Sequence, residues 1–335
     1  MRRWWGGALA ALVLALVSFP ASAQTPTQSR TRDFAAWLSG VREEARAKGI
    51  GPAGVAALDG VKPIEQVLAF DRRQPEFTLS FTGYIAHIVT PARLKRGRTL
   101  MAQHRALLAA VSKRYHVPGR FVVALWGIES DFGRATGGFP VVAALATLAY
   151  DGRRSAYFRG ELLQALRIAD GGAVPPQAMT GSWAGAMGQC QFMPSTYRKW
   201  AQSWNGDGRP DIWRRTADVF ASTANYLAGI GWDEHLTWGR KIRLPPHIDK
   251  SLFGLGTRRT LKEWSRLGVR RADGGPLPER DVPASLVRAE TGKGGDVGKG
   301  PPYLVYDNFR VLMQWNRSVF FAIAAGTLAD RLSSR

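Results

Sequence analysis

Between Asp33 and Leu58 apolar residues recur at Phe34, Trp37, Leu38, Val41 and Ala45, the spacing of one helix face, until Gly49, Gly51 and Pro52 interrupt it. The same periodicity predicts helices over 91–115, 139–150 and 155–169, the last two divided by Asp151-Gly152. A further helix is expected through 122–131, and Pro194 suits the first turn of another. Beyond Trp238 the pattern changes. Residues 239–305 are rich in Gly and Pro, with short alternating runs at 241–244, 284–289 and 303–306, which predicts a small antiparallel β unit with a helical turn near 261–267. Helical spacing returns over 309–332 through Leu312, Trp315, Val319, Ile323 and Leu328. The fold class this implies is α+β, mainly α, with no internal repeat. Residues 24–31 and 291–300 have the composition of mobile segments.

The first residues add a compartment. Arg2 and Arg3 precede an apolar run from Trp4 to Val17, and Ala21-Ser22-Ala23 supplies the small residues of a cleavage site, so 1–23 reads as a signal peptide with a mature chain from Gln24. The run falls short of the ~20 residues of a membrane-spanning helix, and no later segment reaches that length. No cysteine follows the cleavage site, so neither a transmembrane nor a lipid anchor is expected. Cys190, the single cysteine, excludes an intramolecular disulfide, and no Cys/His spacing suits zinc. The formal charge is +20; loss of the leader removes two of 46 basic residues and none of 26 acidic ones, leaving +18. For an exported chain this favours anionic wall or membrane material over nucleic acid, and the basic residues are scattered rather than gathered into a nucleic-acid-binding arm.

One carboxylate stands out in FVVALWGIESDFG, residues 121–133, where Glu129 shares a helix face with Leu125 and Trp126. A carboxyl group among apolar neighbours keeps its proton. For a glutamic acid, moving from ~4.3 to ~6 costs about 2 kcal/mol and yields a proton donor near neutral pH, the profile of a glycosidase general acid. A frayed, solvated helix end is the alternative, and periodicity leaves both open. A second stretch, GSWAGAMGQCQFMPSTY at 181–197, combines small residues with Ser182, Gln189 and Gln191. Its glycines suit either close approach of a ligand to the backbone or a tightly packed turn.

GIESDFG, GSWAGAMGQCQFMPSTY, NGDGRPDIW (205–213) and ANYLAGIGW (224–232), with DRRQPEF (71–77) before them and YDNFRVLMQWNRSVFFAIA (306–324) after, closely resemble the lytic murein transglycosylase B family. The resemblance runs from about Asp33 to Leu332. It implies a lysozyme-like catalytic core, a surrounding helical domain and a small inserted β domain: 24–115 helical, 116–238 the core, 239–305 the β domain, and 306–335 a C-terminal helix returning to the body. It also implies a periplasmic enzyme of a Gram-negative bacterium. Such an enzyme cleaves the MurNAc–GlcNAc β-1,4 bond of peptidoglycan without water to give 1,6-anhydro products, with Glu129 as acid and then base. Unlike an ordinary hydrolase, the family needs no second carboxylate roughly 5 to 9.5 Å away. Asp131 is the nearest candidate, and on a helix it points away from Glu129.

By the same resemblance, Ser182, Gln191 and Met193 border the cleavage point, and Tyr226 and Tyr84 line the cleft. Asn316 matches the asparagine of a Tyr-Asn pair, with Trp315 and Phe321 where tyrosines are usual, a change that keeps stacking and loses hydroxyl bonds. Core packing is an equal reading for Tyr84 and Trp315. The family's EF-hand-type calcium loop falls on Ser203, Asn205, Asp207, Arg209 and Asp211, with Asp218 as a late ligand. Ser203 stands where Asp is required and Arg214 where Glu is, so tight Ca²⁺ binding is not expected and no other cofactor is implied. Cys190 has no histidine beside it and reads as a small buried side chain. The rival functions are a lysozyme-type muramidase or chitinase, and a non-catalytic peptidoglycan-binding protein. Cell-wall synthesis or division proteins are the macromolecular partners the resemblance suggests beside the glycan itself.

Overall fold

The structure is a computed structural model that describes residues 34–73, 80–289, 298 and 300–334. The leader, residues 24–31, the end of DRRQPEF (74–77) and most of 291–300 lie outside the described residues. In chain order the first helices are α1 (Phe34–Ala47), α2 (Pro52–Ala56), α3 (Glu65–Arg73), α4 (Phe81–Ile88), α5 (Pro91–Gln103), α6 (Arg105–Tyr115) and α7 (Gly119–Ser130). Next come β1 (Phe139–Pro140), α8 (Val141–Asp151), α9 (Ser155–Asp170), β2 (Thr180–Gly181), α10 (Pro194–Trp200) and α11 (Thr216–Gly229). The remainder is β3 (Gly239–Arg243), β4 (Arg259–Thr260), α12 (Leu261–Arg266), β5 (Arg270–Arg271), β6 (Pro283–Arg288), β7 (Pro302–Val305), α13 (Asp307–Trp315) and α14 (Val319–Ser333). No helix of the described residues is long and apolar enough to cross a membrane.

These elements form two compact units: residues 34–73 with 129–223, and residues 80–128 with 224–334. The first unit is built around α8 and α9, with α2 and α10 also packed on α9. Carboxylates tie its short pieces to this pair. Asp170, at the end of α9, accepts the N–H groups of Gly51 and Gly54 at 2.9 and 3.1 Å and so satisfies the open start of α2. Buried Glu161 accepts the N–H and hydroxyl of Ser195 at 2.9 and 2.6 Å, anchoring α10. Asp71 on α3, 2% exposed, pairs with Arg153 and Arg154 at 2.5 Å each, in the turn between α8 and α9. These ties hold the first 40 described residues in one unit with 129–223.

In the second unit the strands form one antiparallel sheet, order β4-β6-β7-β3-β5, in which β3, β6 and β7 fall on the alternating runs foreseen for the β unit and the two-residue β4 and β5 do not. Its core is Trp264, Leu286, Leu304, Val269 and Ile242, and the Trp264 indole donates to the Ala284 carbonyl at 3.0 Å. A capping box at Thr260 and Glu263 starts α12, the helical turn expected there. Helix α14 packs on α13, α4 and α5. Three expected helices are shorter or broken. The 91–115 helix is interrupted at His104, the 309–332 helix at Asn316, and the 139–150 helix begins at Val141 because Pro140 starts it and leaves Phe139 extended.

Candidate active site

Every side chain from Phe121 to Ser130 on α7 is buried, so the helix is apolar on all sides until its last turn. Glu129 lies there, 6% exposed, next to Ser130, which is fully enclosed. It is therefore not a solvated helix end. After Ser130 the chain turns sharply through Asp131, Phe132 and Gly133, all left-handed, with φ of 49°, 59° and 80°. Asp131 is engaged by an ion pair with Arg134.

The turn is locked onto the 181–193 loop. The Ser130 hydroxyl donates to the Gln189 carbonyl at 2.8 Å and accepts from the Gly133 N–H at 3.1 Å. Gln189 Nε2 donates to the Trp213 carbonyl at 2.8 Å, and Gln191 Nε2 donates to the carbonyls of Thr136 and Gly188 at 3.0 and 2.8 Å. Gln191 itself holds a left-handed φ of 52°. Ser182 closes its own turn: its hydroxyl accepts from the Ala186 N–H at 3.1 Å, and its N–H donates to the Ala186 carbonyl at 2.8 Å. Met193 is buried immediately before α10. Glu129, Ser182, Gln191 and Met193 all lie in the first unit, with Ser130, Gln189 and Thr136 as fixing residues whose partners no sequence pattern names.

The glycines of this loop make room for the chain itself rather than for a ligand. A Cβ on Gly181 would sit 2.1 Å from the Ala186 carbonyl oxygen, and one on Gly188 2.7 Å from that of Ile212. The tightly packed turn is the reading that holds. Cys190, buried between the two glutamines, touches the Thr223 hydroxyl at 3.6 Å.

The remaining sequence-derived positions lie in the second unit. Tyr226 stacks on Trp315 with ring centroids 5.0 Å apart and planes 28° from parallel; both are half-buried. The Tyr226 hydroxyl donates to the Gln314 carbonyl at 3.3 Å, and burial raises its pKa above the usual phenol value. Asn316 is buried at the break between α13 and α14, where its Oδ1 accepts the Ser318 N–H at 3.1 Å. Tyr84 packs against Phe320, centroids 5.7 Å apart. Phe321 is a correction: it is 0% exposed, inside the core of its unit, and cannot meet a ligand. Its neighbour Phe320 has the partly open position, because a one-residue step on a helix turns a side chain by about 100°.

The EF-hand-like loop joins α10 to α11. The Ser203 hydroxyl lies 2.7 Å from both Asn205 Oδ1 and Asp207 Oδ1, and Asp207 also accepts the Arg209 N–H at 2.8 Å. Arg215 Nη1 reaches Asp207 Oδ2 at 2.6 Å and Asp218 Oδ2 at 3.8 Å. Asp218 is buried and spends its two oxygens on the N–H groups of Trp204 and Asp211, each at 2.8 Å. Asp211 Oδ1 accepts from Trp213 and Arg214, each at 2.9 Å. The Ser203 hydroxyl, the Arg209 N–H and Arg215 together hold the Asp207 carboxyl far below the usual range.

Residues 33–330 match the transglycosylase SLT domain. Over 256 residues the chain is 30% identical to the membrane-bound lytic murein transglycosylase B of Escherichia coli, a match that takes in 75% of this chain and 66% of that protein, a little under two thirds. Among solved structures it is similar to SltB3 from Pseudomonas aeruginosa in complex with NAG-anhNAM-pentapeptide, at a TM-score of 0.85 and 42% identity over 90% of this chain and 80% of that one. The Escherichia coli lytic transglycosylase Slt35 in complex with calcium is similar at 0.73 and 28% identity, over 88% and 92%.

Proposed function

The chain belongs to the transglycosylase SLT family, in its lytic murein transglycosylase B branch, and on that premise we propose that it cleaves the MurNAc–GlcNAc β-1,4 bond of peptidoglycan with Glu129 as its one acid and base. The observation that carries this reading is the burial of Glu129 at the end of an apolar helix, beside a rigid polar loop. Removal from water opposes a stored negative charge, which suits a carboxyl that begins the cycle protonated.

In the first step Glu129 gives its proton to the glycosidic oxygen as the C1–O bond breaks and the GlcNAc side leaves as an alcohol. The carboxylate then takes the proton of the MurNAc C6 hydroxyl while O6 bonds to C1. The 1,6-anhydro ring forms, Glu129 is protonated again, and no water is consumed. Ser182 spends its acceptor on Ala186, which leaves its hydroxyl proton for a carbonyl such as the substrate's N-acetyl group. Gln191 has committed both amide protons, so it offers Oε1 as an acceptor. Met193 supplies apolar contact. In the second unit we assign Tyr84 and the Tyr226–Trp315 stack to contact with the glycan, with Asn316 holding the backbone beside them and Phe320 in place of Phe321.

Glu129→Gln keeps the shape and removes the transferable proton, so muropeptide release should fall about 10³-fold. Mass spectrometry of digested sacculi should find anhydro ends. Reducing MurNAc ends would make the protein a muramidase, and release undiminished in the Gln variant would reject Glu129 as the acid. A wild type that binds sacculi without releasing anything would instead be a binding protein. The place of action that goes with this chemistry is the periplasm.

The calcium loop of the family is not matched by the donor set of this chain. Asp207, the carboxylate best placed to bind a cation, is already paired with Arg215, and Asp218 with two backbone N–H groups. We infer that the Arg215 guanidinium does the work of a metal here. Thermal midpoints in millimolar CaCl₂ and in EDTA should therefore agree within about 1 °C, whereas occupancy of a site at a hundred times its Kd would add about 2.7 kcal/mol and a clear rise.

A further inference from the structure

The second unit contains an open groove of about 370 Å³ between α5, α6, the start of α7 and the end of α14. Its floor is apolar, with Met101, Leu108 and Leu332, and three arginines, Arg98, Arg105 and Arg120, stand around it. Their guanidinium groups are unequally committed. Arg98 donates to the Arg331 carbonyl at 2.7 Å, at the C-terminal end of α14. Arg120 lies 4.9 Å over the Phe121 ring, and its Nε is buried with no hydrogen-bond partner. Asp330 feels its charge but is bonded to the Trp238 indole at 2.9 Å. Arg105 is exposed and has no ion-pair or hydrogen-bond partner among the described residues.

Three guanidinium groups around an apolar floor suit an anion that also carries apolar groups. Guanidinium forks suit carboxylate and phosphate alike. The floor decides between them, since Met101, Leu108 and Leu332 give nothing to a bare inorganic ion but cover the methyl groups of a short peptide. The volume is at the lower end of the 300–1,000 Å³ range of small-ligand sites. We propose that this groove binds the free C-terminal carboxylate of a short peptide of small apolar residues, the kind of group that stem peptides of the wall present. The wall as its source rests on the function proposed above.

The test is a calorimetric titration of the purified protein with N-acetyl-dialanine and with its C-terminal amide. The free acid should bind at least tenfold more tightly than the amide. Arg105→Gln and, separately, Arg98→Gln should each weaken the acid at least fivefold without affecting the amide; circular dichroism confirms that these surface variants fold. Equal binding of acid and amide, or indifference to both substitutions, overturns the proposal, as does inorganic phosphate binding as tightly as the acid. Arg105→Gln should also raise KM on peptide-bearing sacculi at unchanged kcat and leave peptide-stripped glycan unaffected. Glu129→Gln should retain dialanine binding, so cleavage surviving in that variant would reject Glu129 as the acid without touching the groove.

Discussion

At the scale of single residues, burial assigns roles that residue type alone leaves open. Cys190 lies between Gln189 and Gln191, inside the motif that borders Glu129. Burial pushes its thiol up to about 12; the contact with Thr223 works against this, and the Glu129 carboxylate adds to it. The thiolate is the reactive form. At pH 8 a group titrating near 12 is ionised about once in 10⁴ molecules, so the folded protein should resist iodoacetamide at that pH and be alkylated within minutes in urea; mass spectrometry reads both. Prompt labelling of the folded chain would show an accessible thiol and a looser loop than the hydrogen bonds of Gln191 imply. Because the raised value belongs to the folded state, stability is unaffected by this group at neutral pH and declines only as pH rises past the ordinary thiol range, where the unfolded chain loses the proton first. Sequence made Glu129 and Ser182 legible through the motifs that resemble the transglycosylase family, while their own residue patterns left a solvated helix end and a packed turn open. It could not show that Ser130 and Gln189 fix the turn, since their partners are backbone carbonyls far along the chain. Phe320 and Phe321 are chemically identical, and only the phase of α14 distinguishes the core residue from the partly open one.

At the scale of elements, periodicity located most helices and the three longer strands, and failed where a break costs the pattern nothing. His104 divides α5 from α6 without disturbing the apolar spacing on either side, and Asn316 does the same between α13 and α14. Close approach between elements is equally invisible, and two helical glycines separate its effect from propensity. Gly160 on α9 is exposed, and a Cβ there meets nothing within 4 Å. Gly326 on α14 faces Trp238, whose Cδ2 would lie 2.2 Å from an added Cβ, and the indole is held in place by its bond to Asp330 at 2.9 Å. Alanine gains about 1 kcal/mol over glycine in a helix interior. Overpacking a filled core costs typically 1–3 kcal/mol, and more where the neighbour is a rigid ring. Gly160→Ala should therefore raise the urea midpoint by the equivalent of about 0.5–1 kcal/mol, while Gly326→Ala should lower it by about 2 kcal/mol. If both variants moved in the same direction, the packing of α14 on Trp238 would not be as described.

At the scale of the molecule, what sequence settles is charge, because charge is a sum and does not depend on where each residue folds. The chain carries +20, and its basic residues occur in both units. Some form local clusters: Lys241 and Arg243 on β3 are exposed beside Arg270 and Arg271 on the edge strand β5. Such an edge is protected from pairing with another strand by its own charge, so part of the positive field has a structural reason independent of any ligand. The rest should act at long range. A field from many scattered cations adds attraction to an anionic polymer without fixing a register, and it weakens as the screening length falls from ~30 Å at 0.01 M salt to ~3 Å at 1 M. Retention of the Glu129→Gln protein on isolated sacculi, measured by sedimentation, should therefore drop progressively as NaCl is raised across that range. Lys241→Gln combined with Arg243→Gln should remove only a small part of the salt-sensitive retention, because two charges are a minor share of the total. Retention that ignored salt would mean that short-range contacts with the glycan hold the enzyme on the wall; a collapse of retention in the double variant would mean that the β3–β5 edge, and not the diffuse field, is the wall-binding surface.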